Sequence, residues 1–210
     1  MKERYIFLLT LLVALVIFLG VYVTTRDLPV TQQQSLPWES LQNQKGQTVV
    51  FGLTMGETTL EEAMRVFGNE VEVSLFENTD KTFDVEVYVP STRIGGFSAR
   101  VILKLVIDQN HLKRLQQNID QTEQLPTGNK QHKLKESSKL SLLQAKLESL
   151  SFIPHSDLTN DILLQRFGEA SSIDKIQGIE YWHYPHKGLR VVIDSEGNDI
   201  LEFFNIEKSL

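Results

Sequence analysis

Cysteine is absent from this chain of 210 residues. Its absence excludes disulfide bonds, thiolate catalysis, cysteine-ligated metal sites and a lipid attached to an N-terminal cysteine. Any folded domain must therefore be held together by its hydrophobic core. A domain of about 150 residues can bury enough apolar surface to do so.

Basic residues are fewer than acidic residues in this chain. Lys and Arg total 21 and Asp and Glu total 27, which gives a net charge of −6. Proteins that bind nucleic acid usually present a basic surface, so we predict no nucleic-acid partner. The acidic balance favours solubility and does not by itself identify a partner.

Charged side chains are also missing from residues 5–23, which are almost wholly apolar. About 20 such residues cross the hydrocarbon core of a bilayer. Lys2 and Arg4 precede the run, and the positive-inside rule keeps residues 1–4 in the cytoplasm. The sequence therefore predicts a single-pass protein of the inner (cytoplasmic) membrane, anchored by residues 5–23, with its C-terminal domain in the periplasm.

A cleaved signal peptide is the alternative interpretation of this run. The apolar region of a signal peptide spans about 7–15 residues and ends in a small-x-small site. The run here is longer, and residues 20–24 contain no such site. We therefore favour an uncleaved anchor.

Residues 24–47 are polar and include the run Gln32-Gln33-Gln34, which predicts a tether. Within the tether, residues 36–41 have the composition of a short docking helix. We expect Trp38 to lie against the domain because about 15 residues separate it from the anchor.

Residues 51–70 and 151–170 repeat each other at an offset of 100. The matching pairs are Leu53 and Ile153, Thr59 and Thr159, Phe67 and Phe167, and Gly68 and Gly168. Each copy predicts a short amphipathic helix that ends at its Phe-Gly pair, because glycine is the preferred C-terminal cap.

The start of each helix is also predicted. Thr58 and Glu61 have the spacing of a capping box, and Ser156 or Asp157 can cap the second copy. Alternating or β-rich runs follow both helices and predict antiparallel strands.

Residues 121–136 lie between the copies and contain Pro126 and Gly128, so they predict a mobile, polar connection. Four leucines then recur at helical spacing and predict a further helix, namely Leu140, Leu143, Leu147 and Leu150. The predicted fold class is α+β. An N-terminal transmembrane helix is followed by two tandem helix-plus-antiparallel-sheet repeats, at residues 48–120 and 137–210.

The partner-binding surface is predicted to be a sheet face or the loop at residues 91–100, where the candidate residues are Arg93, Ile94, Phe97 and Arg100. Arginine and aromatic residues are concentrated at interface hot spots. In the alternative interpretation, Ile94 and Phe97 simply pack on the sheet.

No catalytic centre is predicted. His183 and His186 are the closest histidine pair, but Pro185 between them argues against a shared helix face, and strand positions would point apart. Glu61 and Glu62 are explained as first-turn helix residues. We therefore predict that the protein is not an enzyme and binds no cofactor or metal.

The stretch from Leu53 through Gly56 and Thr58 to Phe67-Gly68 resembles the opening of SmpA/BamE-type envelope domains. The tandem arrangement is similar to that of β-lactamase inhibitory proteins. The resemblance implies a non-catalytic envelope module that binds another protein, as a scaffold or assembly accessory. The alternative function is a lipid or small-molecule sensor that binds in a cleft between the repeats.

Overall fold

The structure is a computed structural model that describes residues 35–206. Strands hold 45% of these residues and helices hold 22%. The predicted α+β fold of two tandem repeats is therefore wrong. The protein is mostly β, and strands from both halves of the chain form one antiparallel sheet of ten strands.

The predicted transmembrane helix at residues 5–23 lies outside the described residues. Within residues 35–206, no helix is long and apolar enough to cross a membrane. The predicted tether is too long at its C-terminal end, because the chain from Ser35 onward belongs to the compact unit.

The first described elements are a 3-10 helix at Pro37–Glu39, β1 at Leu41–Gln42, β2 at Thr48–Val50, β3 at Leu53–Thr54 and α1 at Leu60–Phe67. Strands β1–β3 form a small antiparallel sheet of their own. Thr48 joins it to the far end of the chain, because its Oγ1 donates to the Phe204 carbonyl at 2.7 Å and its N–H donates to Asn205 Oδ1 at 2.8 Å.

The rest of the first half contains β4 at Glu72–Glu77, β5 at Phe83–Ile94, β6 at Phe97–Val106, α2 at Gln109–Gln116, β7 at Ile119–Gln124 and β8 at Lys130–Leu134. The second half contains α3 at Glu136–Leu142, β9 at Lys146–Pro154, α4 at Asn160–Phe167, β10 at Ser172–Ile176, β11 at Ile179–Tyr184, a 3-10 helix at Pro185–Lys187, β12 at Leu189–Ile193 and β13 at Ile200–Phe204.

The strand order in the large sheet is β10-β11-β12-β13-β9-β6-β5-β4-β8-β7. Strands β6 and β9 join the two halves, with a register that runs from Ala99 opposite Pro154 to Val106 opposite Lys146. An unpaired edge on strand β6 would leave a row of backbone N–H and C=O groups without partners. Pairing with β9 satisfies that edge, so two separate sheets do not form.

The two repeated helices are confirmed. Helices α1 and α4 both end at a Phe-Gly pair, and both glycines have positive φ, 113° at Gly68 and 81° at Gly168. The caps, however, are Thr59 and Thr159. Thr58 is not the cap because its Oγ1 accepts a hydrogen bond from the Thr54 N–H at 2.8 Å.

The predicted mobile connection at residues 121–136 is instead part of the sheet. Strands β7 and β8 form a hairpin, and β8 pairs with β4. Lys130 Nζ lies 3.2 Å from Glu77 Oε2, and buried His132 shares a 2.8 Å hydrogen bond with Thr122. The polar residues of this segment therefore pair across strands.

The predicted helix through residues 140–150 ends at Leu142, and β9 follows. The register between β6 and β9 shifts so that Leu105 lies opposite Leu147 while Lys104 lies opposite Ser149. The bulge at residue 148 brings Leu147 and Leu150 to the same face at a separation of three residues. A separation of three residues also places side chains on one face of a helix, which is why the leucine spacing predicted a helix here.

The core lies on one face of the large sheet, which we call the helix side. Side chains at alternate positions of β5, β6, β9, β12 and β13 pack there with the buried residues of α1 and α4. Phe51 is at its centre, with ring centroids 5.6 Å from Phe67, 5.3 Å from Phe152 and 6.1 Å from Phe203. These contacts tie the N-terminal segment to α1 and to the middle of the sheet.

Substitution of Leu150 tests the continuity of the sheet. Leu150 is fully buried and pairs with Leu103 and Phe203. We expect Leu150→Ala to lower the free energy of unfolding by about 2–5 kcal/mol, because it leaves a cavity. Urea denaturation should show a single transition, whereas Leu140→Ala, at a side chain 74% exposed, should change little. Two separated transitions would contradict a single cooperative sheet.

Candidate functional site

The second face of the large sheet carries the candidate site, and we call it the open face. Its side chains alternate with the core residues of the same strands and most remain partly exposed. In the central strands they are Glu86 and Tyr88 of β5, Ile102 and Lys104 of β6, Ser149, Ser151 and Ile153 of β9, Arg190 and Val192 of β12, and Glu202 and Phe204 of β13.

Cross-strand register places these residues in rows. One row runs through Tyr88, Ile102, Ser151, Glu202, Arg190 and His183. Directly opposite side chains on one face of an antiparallel sheet are about 4.5–5.5 Å apart at Cβ, so each row is a continuous surface. Ten hydrogen-bonded strands hold this surface in one shape.

A depression of about 600 Å³ lies on the open face, toward the C-terminal ends of β6 and β13. The residues that line it include Ser149, Ser151, Lys104, Arg190 and Phe204. The depression lies on the seam between β6 and β9, so residues from both halves of the chain line it.

Ion pairs fix the charged side chains around the depression. Lys104 Nζ is 2.9 Å from Asp84 Oδ1 and 3.4 Å from Glu148 Oε1. Arg190 pairs with Glu202, and its guanidinium carbon lies 5.8 Å from the ring centroids of Tyr181 and of Phe204. The arginine is therefore held between two aromatic rings and a carboxylate.

Glu86 differs from its neighbours because it forms no hydrogen bond or ion pair with another described side chain. Burial raises the pKa of the Glu86 carboxyl, and nearby Asp84 raises it further, while Lys104 opposes the shift. The site therefore contains a carboxylate whose charge is incompletely compensated.

The four predicted partner-binding residues do not form one surface. Ile94 is fully buried, and Phe97 packs edge-to-face on Trp38 on the helix side, with ring centroids 5.5 Å apart. Arg93 and Arg100 point to the other side, where Arg100 Nη2 donates to Asn198 Oδ1 at 2.8 Å. Ile94 is therefore buried in the core, as the alternative interpretation expects, whereas Phe97 stays 39% exposed.

The histidine pair is also separated. His183 Nε2 lies 3.0 Å from Asp174 Oδ2 on the neighbouring strand, whereas His186 is exposed in the 3-10 helix that follows. Among residues 35–206, no group of three His, Cys, Asp or Glu side chains could hold a metal ion. The absence of an enzymatic activity stays a prediction.

Comparison of the chain with known protein families, with curated proteins and with solved structures finds no match. The resemblance to SmpA/BamE-type domains and to β-lactamase inhibitory proteins therefore stays a prediction.

Glutamine in place of Glu86 tests the electrostatics of the open face. A carboxyl whose pKa is raised by folding resists ionisation in the folded state, so its charge costs stability at neutral pH. We expect Glu86→Gln to raise the urea midpoint at neutral pH. The gain should vanish as the pH falls below 4.5, the ordinary pKa of glutamate, because both side chains are then uncharged.

Glu72→Gln is the matched control, since Glu72 is exposed on the adjacent strand. Circular dichroism against urea, repeated across pH, gives the midpoints. A Glu86→Gln protein that is less stable than the wild type at neutral pH would contradict this account of Glu86.

Proposed function

We propose that residues 35–206 form a non-catalytic binding module of the cell envelope, and that the open face of the large sheet binds a partner protein. The observation that carries the proposal is the composition of this face. Tyr88, Tyr181, Phe204 and Arg190 lie among partly exposed aliphatic side chains, and aromatic residues with arginine are the types that dominate interface hot spots.

The open face is more apolar than a face adapted only to water. A solvated face of an antiparallel sheet normally carries polar residues throughout. Here partly exposed Ile102 and Ile200 share the face with the aromatic residues, and the ion pairs of Lys104 and Arg190 lie between them. A mixture of apolar residues with paired charges is typical of protein interfaces.

The depression supports a second candidate, a lipid or small-molecule sensor. Its volume of about 600 Å³ lies within the range of about 300–1,000 Å³ that ligand pockets occupy. Its open position on the face of a sheet would bury a small ligand poorly. We therefore prefer the protein partner.

Site-specific photocrosslinking in the native membrane tests the open face. We expect a photoreactive phenylalanine analogue at Tyr88 or Phe204 to give a discrete protein adduct, since both side chains lie within the proposed interface. The same analogue at Phe97, which is exposed on the helix side, is the matched control and should give no such adduct.

Ser151→Arg should weaken formation of this adduct roughly tenfold or more, because it fills the centre of the interface. Ser195→Arg, in an exposed turn, should leave it unchanged. Crosslinks from Phe97 alone would place the binding site at the β5–β6 hairpin instead of the open face. A rise in melting temperature with a small molecule and no protein adduct would favour the sensor.

We further propose that residues 5–23 attach the protein to the inner membrane and that the domain lies in the periplasm. The support is the uncharged apolar run behind Lys2 and Arg4.

A C-terminal fusion to alkaline phosphatase tests this location. We expect the fused phosphatase to be active and the fusion protein to stay in the membrane pellet after alkaline carbonate washing. An otherwise identical fusion that lacks residues 5–23 is the control and should be inactive. Activity of a cytoplasm-only reporter at the same position would refute the proposal.

A further inference from the structure

The first described residues of the chain form a strap, residues 35–42, that lies on the body of the domain. Leu36 packs so closely on the β5–β6 turn that a side chain at Gly95 would collide with it. At the other end of the strap, Gln42 Nε2 donates to the Pro185 carbonyl at 3.1 Å. The strap is therefore fixed at both ends.

Trp38 occupies the middle of the strap between an aromatic ring and two cations. Its ring packs edge-to-face on Phe97, and the Arg166 guanidinium carbon lies 4.6 Å from the ring centroid. Lys187 Nζ donates to the Trp38 carbonyl at 3.2 Å. Trp38 thus contacts residues of the β5–β6 hairpin, of α4 and of the second 3-10 helix.

Neither Arg166 nor Lys187 takes part in an ion pair among residues 35–206. The carboxylate of the strap, Glu39, instead accepts a hydrogen bond from the Leu36 N–H at 2.8 Å. Two cations that form no ion pair within residues 35–206 thus both contact Trp38, in a protein whose net charge is −6.

Apolar surface is exposed beside these cations. Phe97 is 39% exposed and Leu41 of the strap is 52% exposed. We call the set Trp38, Leu41, Phe97, Arg166 and Lys187 the strap patch. Tryptophan and the basic side chains are the residue types that occupy the headgroup region of bilayers.

The length of chain before the strap limits how far this patch can be from a membrane. Residues 24–34 separate the apolar run from Ser35. Fully extended, they span at most about 40 Å. We propose that the strap patch docks on the anionic surface of the bilayer, an inference that rests on the proposed membrane attachment.

Charge and apolar area act together in this docking. Phosphate groups of anionic lipids attract Arg166 and Lys187, and each cation near such a surface multiplies the ratio of docked to undocked domain about fivefold. Trp38, Leu41 and Phe97 gain by leaving water at the headgroup boundary. High salt should weaken the docking because it screens the charges.

The two tryptophans of the chain, Trp38 and Trp182, allow a direct test. The full-length protein would be reconstituted in vesicles of phosphatidylcholine with phosphatidylglycerol, with bromine on the acyl chains near the headgroup as the quencher. In Trp182→Phe, only Trp38 emits, and we expect strong quenching that falls at high salt. In Trp38→Phe, only Trp182 emits, and we expect little quenching because Trp182 is buried.

Charge variants identify the docking residues. Added to Trp182→Phe, the pair Arg166→Gln and Lys187→Gln should reduce the docked-to-undocked ratio about fivefold per cation removed, and Arg166→Lys with Lys187→Arg should restore it. Arg93→Gln, an exposed arginine directed away from the patch, should have no effect. If Trp182→Phe proves unfolded by circular dichroism, the difference in quenching between the wild type and Trp38→Phe measures the same quantity.

Equal, weak quenching of both tryptophans in protein that sediments with the vesicles would overturn the docking and leave membrane attachment intact. Protein that does not sediment with the vesicles would instead overturn the attachment, and the docking with it. Quenching that is unchanged in the doubly neutralised variant would overturn the role of the two cations.

Discussion

The pairing of β6 with β9 is the constraint on which the rest of the structure depends. It joins strands from the two halves of the chain into one sheet, and it aligns Val101, Leu103 and Leu105 with Phe152, Leu150 and Leu147 on the helix side. The same register brings Ser149 and Ser151 beside Lys104 and Ile102 on the other side. Core and candidate site are therefore two consequences of a single set of backbone hydrogen bonds.

Local features of the fold could be predicted from the sequence, whereas the pairing between halves could not. The Phe-Gly ends of α1 and α4 follow from residues within one helical turn, so the repeat revealed them. The choice between two sheets and one depends on which distant strand meets the edge of β6, and no short window contains that information. The bulge at residue 148 gave a strand the leucine spacing of a helix, so even the local pattern was misleading there.

The candidate site was predicted only in outline, as a sheet face or the 91–100 loop. Composition favoured the loop, where two arginines flank Ile94 and Phe97. Because side chains alternate along a strand, the arginines and the apolar residues lie on opposite sides of the hairpin. Residues of the open face come from six strands, β5, β6, β9, β11, β12 and β13, which lie in both halves of the chain. Alternation within β5, β6 and β13 could have indicated a second face, but its assembly required the strand order.

The two hydrogen bonds from Thr48 to Phe204 and Asn205 close a loop of about 156 residues. Contacts of such long range slow folding, because the entropy of bringing the segments together is lost before they stabilise anything. Until β13 and Asn205 have been synthesised, Thr48 lacks the acceptors of both hydrogen bonds and β9 has one open edge. The domain therefore completes its folding only after β13 has been synthesised. A nascent chain stopped before β13 would expose the unpaired edge of β9 to solvent and to other proteins.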